Sequence, residues 1–144
     1  MSQDIVRNFE RVPADLVQKA SVHQAAIFAD VAGRRGVMHG RISALRPHMK
    51  VAGPALTVEV RPGDNLMIHA AIAMAKPGDV LVIDGKADQT AALMGTIMMT
   101  ACKQIGIAGA RAGGQLLARD EGIAAEEGAL RRLIGTGRCI TTTL

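Results

Sequence analysis

Aromatic residues are nearly absent from this 144-residue chain: Phe9 and Phe28 are the whole inventory, with no tyrosine and no tryptophan. That removes the stacking platform on which single-stranded nucleic acid is usually held, and it leaves the core to Ala, Val, Ile, Leu and Met, which carry most of the 49% apolar fraction. Cysteine is almost as scarce. Cys102 and Cys139 are too few and too far apart for a disulfide framework or a cysteine-based zinc site, so both are expected as reduced thiols. No uncharged apolar run approaches the roughly 18 residues that span a bilayer, and no membrane association is expected. The opening residues, MSQDIVRNFERVP, alternate charges with isolated apolar positions and lack the apolar centre of a secretory signal. The expected compartment is therefore the cytoplasm.

Charge is the next thing in short supply. The net charge is only +4, and it is uneven: residues 1–50 hold eight Lys and Arg against four acids, and residues 51–109 hold four against five. A basic front can mean nucleic-acid contact, but the tightest cluster is Arg34-Arg35 with no aromatic beside it, so nucleic acid is not an expected partner. The length is that of one domain, enough for a real core and too little for two. A single domain over 1–144 is the expectation.

What is present reads as alternating helix and strand. Val12-Pro13-Ala14-Asp15 opens a helix to about Lys19, with Pro at the first helical position and Asp at the positive end of the dipole. Ser21 can cap a second helix through Val31, ended by Gly33. Residues 34–47 read as an irregular connection anchored by Ile42 and Leu45. From Val51 to Asp84 the chain spells a complete strand, turn, helix, turn, strand unit, punctuated twice by Pro-Gly-Asp. Leu56, Val58 and Val60 alternate with smaller or polar residues as a half-buried strand requires. Asp64 or Asn65 caps a helix over Leu66–Ala75, and Lys76-Pro77-Gly78 stops it. Val80 to Ile83 is a continuous apolar run, the pattern of a strand covered on both faces. A buried strand reached by a helical crossover predicts an α/β layer fold with a right-handed connection.

Residues 89–105 allow two readings. Nearly every position is apolar or small, which suits one helix buried all round. Gly95 in its middle would cost about 1 kcal/mol relative to Ala, which suits a turn at Met94-Gly95 with the helix starting there. The second reading exposes backbone N–H groups at a helix N-terminus, and such amides bind carboxylates and phosphates without any charged side chain.

The order of six blocks carries a further signal: GRRG (Gly33 to Gly36), VAGPALTV (Val51 to Val58), PGDNLMIH (Pro62 to His69), PGDVLVID (Pro77 to Asp84), GTIM (Gly95 to Met98) and GIAG (Gly106 to Gly109). Over residues 5–109 this order resembles the class II pyruvate aldolases, a family that includes 4-hydroxy-4-methyl-2-oxoglutarate aldolase, 4-carboxy-4-hydroxy-2-oxoadipate aldolase and the regulator of ribonuclease activity A. The PGDN block is most similar to the carboxy-hydroxy-oxoadipate branch. The resemblance implies a swivelling β/β/α-type domain assembled as a homotrimer or hexamer, a 2-oxo acid substrate, and a divalent metal, Mg2+ or Mn2+. It also implies that the turn Gly95-Thr96-Ile97-Met98 offers amides to the substrate. A downstream Arg-Asp pair would hold the substrate carboxylate and the metal, here Arg119 as the catalytic and substrate-binding residue and Asp120 as the metal ligand.

Cleaving a 4-hydroxy-2-oxo acid leaves a pyruvate enolate, which explains those groups. A chelated metal stabilises the negative oxygen as a Lewis acid, an arginine fork fits the carboxylate, fixed amide dipoles face the developing charge, and a base takes the 4-hydroxyl proton. The same enolate accounts for oxaloacetate decarboxylation as a side activity. No residue of the sequence identifies the base.

The match lapses after Gly109. The family continues into an apolar strand ending in Asp-Gly, two residues and Arg-Asp, whereas Gly113 stands at the expected aspartate, Leu117 at the expected arginine, and Arg119-Asp120 comes two residues late. Thr96 replaces an acid often found in the glycine-led turn. Seven of the sixteen glycines fall between Gly109 and Gly137. A two-residue insertion, a shifted reading frame and a lineage without catalysis all fit residues 110–144, and the last of these fits a protein-binding regulator.

Other candidates have plainer readings. His69 suits a hydrogen-bonded packing role, and His23, His39 and His48 lack metal-ligand spacing. Arg34 and Arg35 match a helix C-terminus, Asp84 and Asp88 match turn chemistry as well as metal binding, and Met94, Met98 and Met99 match core packing.

Overall fold

The computed structural model describes residues 5–37, 50–86, 88, 90–112 and 115–116. Ile42, Leu45, His39, His48, Cys139, Arg119 and Asp120 lie outside them. The chain has an α/β fold. Helices α1 (Ala14–Ser21) and α2 (Ala25–Val31) lead into β1 (Ala55–Glu59), α3 (Leu66–Met74) and β2 (Val80–Asp84). Then follow β3 (Ala92–Met94), α4 (Thr96–Ile105), β4 (Gly109–Ala112) and β5 (Gln115–Leu116). Strands β1, β2 and β4 form a parallel sheet in that order, and β3 pairs with β5 in a second, two-stranded parallel sheet.

The strand–helix–strand unit predicted between Val51 and Asp84 is present. Leu56 and Val58 of β1 are buried while Thr57 and Glu59 are exposed, which is the alternation of a half-buried strand. Central strand β2 buries Val80, Leu81 and Ile83, as its continuous apolar run requires. Helix α3 places Ile68 and Ile72 over this sheet, and α4 adds Met98, Met99 and Cys102, so one core joins them. Complete burial of side chains such as Leu81 and Ile68 contributes roughly 1.5–3 kcal/mol each before the entropy of ordering them. Met98 and Met99 therefore have the packing role expected of the methionine cluster. Among the described residues no helix is long and apolar enough to cross a membrane.

Two helix expectations are corrected, and a choice between two readings is decided. The first helix runs on to Ser21, and Pro13 precedes it in an extended conformation (φ −55°, ψ 141°) and does not occupy its first turn. Its acid and base are placed as the dipole favours, with Lys19 Nζ 3.4 Å from Asp15 Oδ2. Ser21 does not cap α2: it ends α1 and its hydroxyl donates to the Gln18 carbonyl at 2.7 Å, while Gln24 precedes α2. A hydroxyl near a helix end bonds back to a carbonyl as readily as it caps forward. Finally, residues 89–105 are not one helix. β3 ends at Met94, Gly95 is extended (φ −122°, ψ −178°), and α4 starts at Thr96. Helix α4 closes on Gly106, left-handed at φ +86°, whose N–H donates to the Lys103 carbonyl while Ile107 N–H donates to that of Cys102.

Candidate active site at the carboxyl ends of the strands

In an open parallel sheet, ligands bind beyond the carboxyl ends of the strands, and here that edge carries Glu59, Asp84 and Lys86. Glu59 and Asp84 end β1 and β2 in register with one another. Lys86 ties them together: its Nζ donates to Glu59 Oε1 at 2.7 Å and to Asp84 Oδ2 at 2.8 Å, and its backbone N–H donates to Asp84 Oδ1 at 2.9 Å. Lys86 does this from left-handed backbone, φ +56°, a conformation rare outside glycine. The Lys86 side chain and N–H hold the Asp84 carboxyl below the usual carboxylate range, and the two carboxylates push the lysine ammonium up. Lys86 is thus a held cation and unsuited to act as a neutral amine.

Turn chemistry brings both helix starts to this edge. Asn65 stands at the N-cap of α3 without a capping side-chain bond, and Asp64 Oδ1 accepts the Leu66 N–H at 2.9 Å in the turn before it. Asn65 reaches across to α4, with Nδ2 3.8 Å from Met98 Sδ. A side chain at Gly63 would touch Ala91, just before β3. Asp88 accepts from the Thr90 N–H at 3.0 Å and hydroxyl at 2.7 Å, which is turn chemistry, one of the two readings for it.

The four residues of the glycine-led turn divide in two. Gly95, Thr96 and Ile97 are exposed, Ile97 at 86%, while the Met98 side chain is buried in the core. Any contact by Met98 with a ligand must come from its backbone. The first intrahelical bond of α4 runs from Met99 N–H to Gly95 C=O at 3.1 Å, so the N–H groups of Thr96, Ile97 and Met98 precede the ladder. A β-carbon on Gly95 would meet nothing within 4 Å. Glycine is required there neither by φ nor by packing, and its absent side chain leaves space directly before the helix.

Among the described residues, no group of three or more His, Cys, Asp or Glu side chains is placed to hold a metal ion. Asp120, the expected metal ligand, lies outside the described residues. His69 is exposed on α3, and His23 sits edge-on to Phe28 with ring centroids 6.0 Å apart. Lys86 was not foreseeable as the bridge between two strand ends, because nothing in a Gly-Lys dipeptide announces its backbone.

Residues 14–121 match the RraA-like family model, Aldolase/RraA. The chain belongs to this family. It is 47% identical over 68 residues to a putative 4-hydroxy-4-methyl-2-oxoglutarate aldolase from Halalkalibacterium halodurans, a match covering 47% of this chain and 32% of that protein. Its fold is similar to that of Streptomyces coelicolor RraAS2, an unusual member of the RNase ES inhibitor RraA family. The TM-score is 0.69 at 26% identity over 92% of this chain and 65% of that one. It is also similar to the RNA-processing inhibitor RraA from Thermus thermophilis, at TM-score 0.60 and 19% identity, covering 81% and 66% of the two chains. The chain thus matches about a third of the length of the curated relative and about two-thirds of RraAS2. Family membership accounts for the order of the six sequence blocks and for the α/β layer they build.

Proposed function

We propose that this Aldolase/RraA chain is a pyruvate-releasing aldolase. Its substrate would be 4-hydroxy-4-methyl-2-oxoglutarate or 4-carboxy-4-hydroxy-2-oxoadipate, with oxaloacetate decarboxylation as a side activity. The observation that supports this most directly is the turn at Gly95, where three backbone N–H groups start a helix beside open space at the carboxyl ends of the strands. A substrate carboxylate at a helix start gains about 0.3–1 kcal/mol from the dipole, and the amides fix its orientation. The C3–C4 bond then breaks with its electron pair passing into the pyruvate enolate, and the 4-hydroxyl proton passes to a base.

Arg119 is assigned to the substrate and Asp120 to a divalent cation, Mg2+ or Mn2+, in the working protein. Both lie outside the described residues. A magnesium site needs only one or two protein carboxylates when the substrate and water complete it. The assembly belonging to this reading is a homotrimer or hexamer in the cytoplasm. Pyruvate release from 4-hydroxy-4-methyl-2-oxoglutarate by the full chain, measured with magnesium and again with a chelator, is the test. Activity with magnesium and its loss with chelator is the expected result; no release above background rejects the reading.

A second reading is a non-catalytic regulator that works by binding a protein. The similarity to RraAS2 over 92% of the chain favours it. A stable protein partner recovered with the intact chain, together with no aldolase turnover, would select it.

A further inference from the structure

The N-terminal arm, residues 5–37, is fixed to the rest of the molecule by very little. Neither α1 nor α2 buries a residue. Leu16, Val22, Ile27 and Val31 are exposed at 48%, 73%, 50% and 85%. Residues 5–12 have no regular structure, and among the described residues their backbone groups make no hydrogen bond to the sheet or its helices. Two adjoining side chains make the attachment. Phe9 packs against the core, and Arg11 lies over the Phe9 ring, 4.5 Å from its centroid. Arg11 Nε donates to Asp79 Oδ1 at 2.9 Å, its NH2 group donates to Asp79 Oδ2 at 2.9 Å, and the same nitrogen reaches the Met74 carbonyl at 3.3 Å.

The far side of this clamp is built for an arginine. Asp79 is 2% exposed at the amino end of β2, where Oδ2 also accepts the Lys76 N–H at 2.8 Å and its carbonyl accepts the Ala108 N–H at 2.8 Å. Its carboxylate is thus held in the sheet, and among the described residues the arm supplies its only cation. The clamp raises the affinity of the Arg11 guanidinium for its proton, first through the hydrogen bonds to Asp79. Inboard of the clamp the arm does not close on the sheet. Ile5, Val6, Val12 and Leu16 face β1 and α3 across a groove of about 1250 Å3. Val80 N–H donates to Pro54 C=O and Val60 N–H to Asp84 C=O. The alternation of a strand therefore turns the backbone groups of 55, 57 and 59 away from β2, toward an edge that no other described strand pairs with.

We propose that residues 5–37 form a detachable arm whose docking is decided by the Arg11–Asp79 clamp, and whose release opens the outer edge of β1. The driving force follows from burial. With the arm docked and the guanidinium gone, Asp79 is a carboxyl group shut away from water with one backbone donor, a strongly disfavoured state. Lifting the arm lets water reach it, so the arm leaves and the core remains. This inference is independent of the aldolase reading.

Limited trypsin digestion of the full chain tests it, with wild type compared to Arg11→Gln and Arg11→Lys. Cleavage after Arg7 and Lys19 reports the arm, and cleavage after Lys86 and Lys103 reports the core. Arg11→Gln is expected to speed arm cleavage by about tenfold or more with core cleavage unchanged. Arg11→Lys should fall between, since a single ammonium cannot replace a two-pronged fork. Unchanged arm cleavage overturns the proposal, and so does an equal acceleration of arm and core, which would mean that Arg11 holds the whole fold together.

Discussion

Gly53 packs against the Gly78 carbonyl so closely that a β-carbon built on it would lie inside van der Waals contact with that oxygen and 2.9 Å from Val80 Cγ2. The strand entering β1 thereby lies flush against the turn entering β2, and Val80 N–H reaches the Pro54 carbonyl at 2.8 Å. Gly53→Ala is expected to cost about 1–3 kcal/mol, as overpacking in a rigid site does. A urea titration measures it, and an unchanged midpoint would show that the two turns can separate freely.

Gly95 makes the opposite prediction. Its backbone is extended and its missing side chain faces space, so Gly95→Ala is expected to move stability by no more than about 0.5 kcal/mol. If a substrate carboxylate sits at the start of α4, the added methyl group obstructs it, and kcat/KM for pyruvate release is expected to fall by about tenfold or more. Equal activity in the variant would remove the Gly95 turn from the site.

Lys86 sits in left-handed backbone while its side chain joins Glu59 to Asp84. Both Lys86→Gly and Lys86→Ala delete the ion pairs, but only glycine accepts the backbone without strain. Lys86→Ala is therefore expected to have the lower urea midpoint of the two. The Asp84 carboxyl is held below its ordinary value, so its contribution to stability is complete above the unfolded pKa and fades as pH falls through the folded one. Both Lys86 variants should shrink that acid-side loss. A pH series of midpoints, flat or steep alike in all three proteins, would contradict it.

Cys102 is fully buried in α4, and burial pushes its thiol up to about 11. The thiolate is the nucleophile, so in a Cys139→Ser background the native protein is expected to resist a thiol reagent at pH 8 and to react once unfolded. The raised value also means that folding stability declines as pH climbs from about 8.5 toward about 11, because the unfolded thiol loses its proton first. Fast labelling of native protein would place Cys102 at the surface.

The layer between Val51 and Asp84 was legible because its periodicity is local: Leu56, Val58 and the Val80–Ile83 run declare their own burial, and the Pro-Gly-Asp turns mark the ends. The break at Gly95 was legible only as one of two alternatives. Apolar residues suit both a short buried strand and a buried helix, and the choice rests on β3 pairing with β5, on the far side of α4 in the sequence. The Arg11–Asp79 clamp spans 68 positions, and no periodicity links an arginine in an irregular arm to an aspartate in a turn. The resemblance to pyruvate aldolases foresaw the family. The Met98 side chain shows its limit: a motif names four residues, and packing turns one of them inward.

The parallel order β1-β2-β4 also sets when the molecule can exist. Ala55 pairs with Val80, and Val80 in turn with Gly109, so each ladder waits for an intervening helix to be made and neither can start as a hairpin. Pairings of this separation fold slowly. On the ribosome, β2 is held along one edge while its other edge stays open until residues 109–112 emerge, and through that interval the apolar run Val80–Ile83 is exposed to wrong partners.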